Sequence, residues 1–191
     1  HVYYSTTGES HLYDAQPLVI KYKKGTLALA HNGQLINAER FREELEDRGA
    51  VFQTSTDSEV VANLIARQAE KDLESSVKKA VESLKGSFAL VIMTEDKLIA
   101  IRDPNGMRPL ALGKLDNSYV VASESCAFDA VGADFIRDVK PGEIIIIDKD
   151  GLKSIQMPVP LKTSLCIFEF VYFARTDSTI DGISVYMARK E

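Results

Sequence analysis

The chain has no tryptophan and only two cysteines, Cys126 and Cys166, in 191 residues. Two cysteines make no disulfide framework, and this pair lacks the C-x-x-C spacing of a zinc ribbon or redox site, so a reducing compartment is expected. Long apolar runs are missing too. Apolar stretches such as Ile144 to Ile147 are strand length and far short of a membrane span. No basic stripe exists: the net charge is −5 with acids and bases interspersed, and Lys21, Lys23 and Lys24 are too few to follow a phosphate backbone. There is no repeat, no low-complexity segment and no signal-like start, although the chain opens at His1 and not at Met. These absences leave a cytoplasmic protein acting on small molecules, with neither nucleic acid nor membrane as partner. The length suits one domain plus a short extension.

What is present begins with His31-Asn32-Gly33-Gln34-Leu35-Ile36-Asn37-Ala38, followed by Thr54-Ser55-Thr56-Asp57-Ser58-Glu59. Asn-Gly alone is usually a turn. Here a strand over 27–30 is expected to deliver Asn32 and Gly33 to a loop before a helix, where a side-chain amide and a backbone N–H could face a developing oxyanion. Asn37 reads as the N-cap of that helix, which runs over 37–48 to Gly49. Thr56 and Glu59 have the form of a capping box at the head of a second helix from Asp57.

The coarse pattern predicts two strands within 17–31 joined at Lys24-Gly25, and a third helix over 73–84 stopped by Gly86. Strands are expected over 88–93, 98–102, 110–113, 119–122, 144–147 and 152–155, and a short helix over 124–131 capped by Ser123. Asp103-Pro104-Asn105-Gly106 is a turn, with Arg108 beside it available for domain packing. Pro158 and Pro160 mark a boundary. Beyond it, 166–173 reads as a strand and 181–191 as the start of a helix. Many antiparallel strands with paired helices make this an α+β protein of face-to-face sheets covered by helices.

Six ordered blocks carry a resemblance. They are His1-Val2-x-Tyr4-Ser5-Thr6-Thr7-Gly8, the Asn32-Gly33 block, the Asp57 block, Asp103-Pro104-Asn105-Gly106-Met107-Arg108-Pro109-Leu110, Ser123-Glu124-Ser125-Cys126-Ala127 and Glu169-Phe170-Val171-Tyr172-Phe173-Ala174-Arg175. Over essentially its whole length the chain resembles the amidophosphoribosyltransferase family, and the first three blocks resemble that family's class II glutamine amidotransferase domain. The resemblance implies an N-terminal nucleophile hydrolase fold, a four-layer αββα sandwich of two antiparallel sheets, here incomplete at its N-terminus. Residues 1–160 would be the glutamine amidotransferase domain and 161–191 a segment leading to an absent phosphoribosyltransferase domain. In the family an N-terminal cysteine thiolate attacks the glutamine amide with its own α-amino group as base, a sensible pairing since an α-amino pKa of roughly 7.7 to 8.0 lies near neutrality.

Carried over by position, the resemblance makes Asn32 and Gly33 the oxyanion hole, Asp57 the acceptor of the glutamine α-ammonium, and Tyr4 and Thr6 pocket residues. Tyr3 departs from the family, which has an arginine there for the α-carboxylate; a phenol offers one neutral donor in place of a charged fork. Thr176 stands where the family usually has proline, a change expected to affect local stiffness. The complete protein would pass ammonia from glutamine to phosphoribosyl pyrophosphate, opening purine synthesis. It would use Mg2+ and, in some members, a [4Fe–4S] cluster, and would form a homo-oligomer. The chain by itself, lacking the nucleophilic cysteine, is expected to be inactive. The alternatives are a degenerate binding or regulatory module and another class II amidotransferase with a different acceptor.

Other residues have plainer readings. Cys126 reads as a buried structural thiol. Cys166 aligns with a cluster ligand of some family members, but packing is the favoured role for one isolated thiol. His1, His11 and His31 lack metal-ligand spacing, and His31 could hydrogen-bond the Asn32 loop. Ile144 to Asp148 lacks the second acid and Gly/Thr-rich turn of a phosphate loop.

Overall fold

In a computed structural model the described residues are 1, 11–68, 72–157 and 164–191. The expectations at Tyr3, Tyr4 and Thr6, and the boundary at Pro158 and Pro160, lie outside them.

A six-stranded antiparallel sheet is built from β1 (Leu18–Tyr22), β2 (Gly25–Leu35), β3 (Gly86–Met93), β4 (Leu98–Arg102), β8 (Glu143–Asp148) and β9 (Gly151–Gln156), in that spatial order. Between β2 and β3 the chain makes α1 (Ala38–Glu46), α2 (Asp57–Arg67) and α3 (Leu73–Glu82). Their apolar stripes, including Phe41, Leu45, Val60, Ile65, Val77 and Val81, close over one face of the sheet through Leu27, Leu29, Leu90, Ile99 and Ile144. Between β4 and β8 lie β5 (Ala111–Leu115), β6 (Ser118–Ala122), α4 (Cys126–Val131) and β7 (Asp134–Asp138). The three strands form a second antiparallel sheet in the order β6-β5-β7.

The second sheet packs on the other face of the first, where Leu112 meets Ala89, Ala100 and Ile145. Phe128 of α4 packs with Ala111 and Ala133 on the outer side. Helices, six strands, three strands and a helix therefore stack as the expected αββα layers.

The two-residue hairpin at Lys23-Lys24 forms with β1 and β2 in register from Tyr22↔Gly25 to Leu18↔Leu29. Several expectations fail locally. The strand expected to end at Ala30 continues through Asn32-Gly33 to Leu35, because β3 pairs with it along 28–35; there is no loop at Asn-Gly. The capping box does not form, since Thr56 makes no side-chain cap and Glu59 turns instead to the preceding loop. Asn37 does sit at the N-cap of α1 but spends its amide elsewhere: Nδ2 donates to Ser83 O at 3.0 Å and Oδ1 accepts from Lys85 N at 3.0 Å, tying α1 to the α3–β3 connection.

Residues 169–173, expected as strand, form a π-helical turn with Ala174 N donating to Glu169 O at 3.0 Å. Short apolar runs do not separate strand from helix. Residues 179–184 form a hairpin of β10 (Thr179–Ile180) and β11 (Ile183–Ser184) before α5 (Val185–Lys190), with Asp181 and Gly182 both at positive φ. The short helix expected over 124–131 starts only at Cys126; Ser125 Oγ accepts from Thr179 N at 2.8 Å, outside the helix. The strand β7 was not expected at all.

The segment 164–191 packs against the Asp103 turn. Ser164 N donates to Asn105 O at 2.8 Å and Cys166 N to Met107 O at 3.2 Å, while Arg108 Nη1 pairs with Glu169 Oε1 at 2.7 Å. Asp103, fully buried, gathers the turn by accepting from the N–H groups of Asn105, Met107 and Arg108. The packing expected of Arg108 is thus made to this segment. Thr176 Oγ1 accepts from Arg189 Nη1 at 3.0 Å, a bond proline could not make.

Candidate functional site at the free edge of β2

The pairing of β1 with β2 stops at Leu18↔Leu29, so β2 runs on with one edge unpaired by strand. In an antiparallel ladder successive residues turn their N–H groups to opposite sides. The even residues of this stretch face β3, and Gln34 N reaches Ser87 Oγ at 3.3 Å. The odd residues face the free edge, where His31 N donates to Gln16 Oε1 at 2.6 Å and Leu35 N to Asp57 Oδ2 at 2.9 Å. Between them the Gly33 N–H points the same way.

Gly33 is required at this place. Its φ is +147°, and a Cβ there would lie 2.1 Å from the backbone oxygen of Ser87. Across the ladder Gly86, at φ +130°, would put a Cβ 2.3 Å from Gln34 O, so the two strands approach through glycine on both sides. Asn32 alternates to the opposite face of the sheet from His31. It is half-buried, and its side-chain amide has no hydrogen-bond partner among the described residues.

The acid block positions a carboxylate at this edge. Buried Glu59 accepts from Gln53 N at 2.9 Å, Thr54 N at 2.7 Å and Thr54 Oγ1 at 2.8 Å, and Thr54 and Thr56 share a hydroxyl contact of 2.9 Å. The loop is thereby fixed just before α2, and Asp57, the first residue of that helix, meets β2. Its Oδ2 takes the Leu35 N–H and its Oδ1 lies 3.3 Å from His31 Nδ1. Burial alone would raise the Asp57 carboxyl, but the hydrogen bond and charge of His31, with the N–H groups of Leu35 and Ser58, outweigh it and hold it below the ordinary aspartate range. Asp57 also borders a shallow cleft with Gln34, Ile36, Arg42 and Ser55. A carboxylate kept ionised beside open space can receive an ammonium group.

The structure thus brings Gly33 and Asp57 to one strand edge and leaves the Asn32 amide on the other face of the same strand. Neither cysteine touches them. Cys126 is buried with its thiol 3.8 Å from Glu124 Oε2, and Cys166 opens the helical turn beyond Met107. Among the described residues no three His, Cys, Asp or Glu side chains converge on a point that could hold a metal ion. Sequence reasoning missed Gln16, which binds both His31 N and Ser58 Oγ, and Asp14, which accepts from Ser55 N at 3.3 Å. No local signal marks either, because their partners lie 15 to 42 residues away in sequence.

An αββα sandwich presenting an Asn-Gly strand edge against an acid at a helix start defines the class. The chain belongs to the glutamine amidotransferase domain family, whose model matches residues 8–130. More particularly, it is similar to amidophosphoribosyltransferases. The protein of that name from Bacillus subtilis (strain 168) is 48% identical over 191 residues, covering 100% of this chain and 40% of the relative. That from Archaeoglobus fulgidus is 48% identical over 193 residues, covering 100% and 42%. A solved structure of glutamine phosphoribosylpyrophosphate amidotransferase from B. subtilis, complexed with ADP and GMP, superposes with a TM-score of 0.94 at 47% identity, covering 100% of this chain and 41% of that one. The chain therefore spans about two fifths of the length of these relatives.

Proposed function

We propose that this chain is the glutamine-hydrolysing domain of an amidophosphoribosyltransferase, supplying ammonia to C1 of phosphoribosyl pyrophosphate to make phosphoribosylamine in purine synthesis. The observation that carries the reading is the free edge of β2, where the His31 and Leu35 N–H groups are both taken, strand alternation turns the Gly33 N–H between them to the same edge, and Asp57 is held ionised beside it. In this reading Asn32 Nδ2 and the Gly33 N–H receive the oxyanion formed when a thiolate adds to the glutamine amide carbon. Asp57 receives the α-ammonium. Leu35, His31 and the Ser58 N–H take three of the four lone-pair sites of its carboxylate, leaving one for the substrate.

Tyr4, Thr6 and Tyr3 complete the pocket, with Tyr3 contributing a neutral donor to the α-carboxylate. Exchanging a charge-assisted fork for one neutral bond weakens glutamine capture by roughly ten- to a hundredfold. The thiolate nucleophile and the phosphoribosyl acceptor site belong to parts of the complete protein outside these residues, and 161–191 leads toward the latter. Mg2+ and a [4Fe–4S] cluster, implied for the complete protein, would draw their ligands mainly from beyond this chain, Cys166 offering one thiolate. Among the described residues no helix is long and apolar enough to cross a membrane, and the reading places the protein in the cytoplasm as a homo-oligomer.

The complete protein given glutamine and phosphoribosyl pyrophosphate should release glutamate and pyrophosphate in equal amounts. Pyrophosphate release with free ammonia but none with glutamine would overturn the glutaminase assignment.

A further inference from the structure

His31 is almost fully buried under α2, and it lies in the same strand as the residues assigned to the oxyanion. Its Nδ1 faces Asp57 Oδ1 at 3.3 Å and Ser58 Oγ at 3.4 Å, and its Nε2 is buried without a hydrogen-bond partner among the described residues. A buried ring nitrogen without a partner is uncommon, and which nitrogen of an imidazole carries the proton is set by the bond the other one makes. Four residues along the same strand, the Leu35 N–H holds the second oxygen of the same carboxylate at 2.9 Å. One strand thus grips Asp57 from both sides of Asn32-Gly33. Gln16 braces the grip, accepting from His31 N at 2.6 Å and donating from Nε2 to Ser58 Oγ at 3.1 Å.

We infer that His31 is a positioning residue for substrate capture: its Nδ1–H clamps the Asp57 carboxylate at a fixed distance from the Gly33 N–H, so that the α-ammonium and the scissile amide of one glutamine are addressed by a single rigid strand. The inference rests on the glutaminase reading above. It follows from the ligation pattern. A carboxylate on the first turn of a helix can turn wholly toward its own helix N–H groups, as the Ser58 N–H already draws it, and the imidazole limits that freedom from the strand side. His31 touches no reacting atom, so its effect should fall on glutamine affinity and not on the chemical step.

The test uses the complete protein. His31→Leu should raise KM for glutamine about tenfold while kcat changes by less than about threefold, and His31→Asn, whose amide can replace the Nδ1 donor, should recover most of the loss. In an Asp57→Asn background, His31→Leu should add nothing further to KM. An additive effect, or a KM unchanged in folded His31→Leu, would overturn the inference. Nitrogen-15 NMR of the wild-type histidines gives a reading independent of any variant: Nδ1 of His31 should carry a proton near neutral pH, and a bare Nδ1 with protonated Nε2 contradicts the clamp. Absence of wild-type glutaminase activity alongside a protonated Nδ1 would count against the glutamine reading and leave the Asp57 clamp standing.

Discussion

Both Nη groups of the fully buried Arg102 donate to the carboxylate of Asp181, at 2.7 and 2.8 Å. Arg102 ends β4, and its remaining donors reach the carbonyls of Arg108, Val139 and Gly106, so every one of those neighbours is neutral. Asp181, in the β10–β11 turn, supplies the countercharge across 79 residues of sequence. Removing one partner of a buried pair leaves an uncompensated charge. Asp181→Ala should therefore lower stability by about 3 kcal/mol, read by urea unfolding, and should loosen 164–191 to limited proteolysis. Asp181→Asn, which keeps one acceptor, should cost less.

At Gly33 the expected cost is steric. Gly33→Ala would drive a Cβ into the Ser87 carbonyl in addition to the strain of a positive φ, for a loss of about 3 kcal/mol or more. Gly25 has a positive φ too, but nothing lies within 4 Å of its Cβ position, so Gly25→Ala should lose only about 1 to 2 kcal/mol. Equal losses in denaturant titration would mean that the β2–β3 approach is not close.

Two carboxylates, half-buried Asp57 and buried Glu143, should shape the acid limb of stability. Burial pushes Asp57 and Glu143 up, but His31 for the first, and Arg137, Ser154 and the Lys140 N–H for the second, bring them below the ordinary range. For an acid whose folded pKa is depressed, the stabilisation is present above the unfolded value and is lost as pH falls through the folded one. Melting temperature should accordingly fall as pH drops below about 4, and Asp57→Asn should flatten part of that fall. A slope identical to wild type would place the Asp57 interactions outside the folded state's proton linkage.

The sequence made the layers legible because burial imposes a strong period. The apolar stripes of α2 and α3 and the isoleucine run of β8 read correctly, and the hairpin expected at Lys24-Gly25 forms one residue earlier, at Lys23-Lys24. Where two local signals competed, a distant partner decided. Asn32-Gly33 carries a turn signature, yet β3 lies alongside and the glycine supplies close strand approach instead of reversal. The strand β7 went unseen because its apolar residues Phe135 and Ile136 are both exposed and its neighbours are charged, which leaves no alternation to read. The acid block was legible as a unit, but its division of labour was not. Glu59 holds the loop and Asp57 faces the strand, and the contacts of residue 57 with residues 31 and 35 tie the block to the Asn-Gly strand.

The central claim, that Asn32 and Gly33 receive an oxyanion, is tested most directly by steady-state glutaminase kinetics of Asn32→Ala in the complete protein. Loss of one such donor should lower kcat by about a hundredfold or more while KM for glutamine stays within a few-fold. An unchanged kcat, or a rise in KM alone, would contradict it.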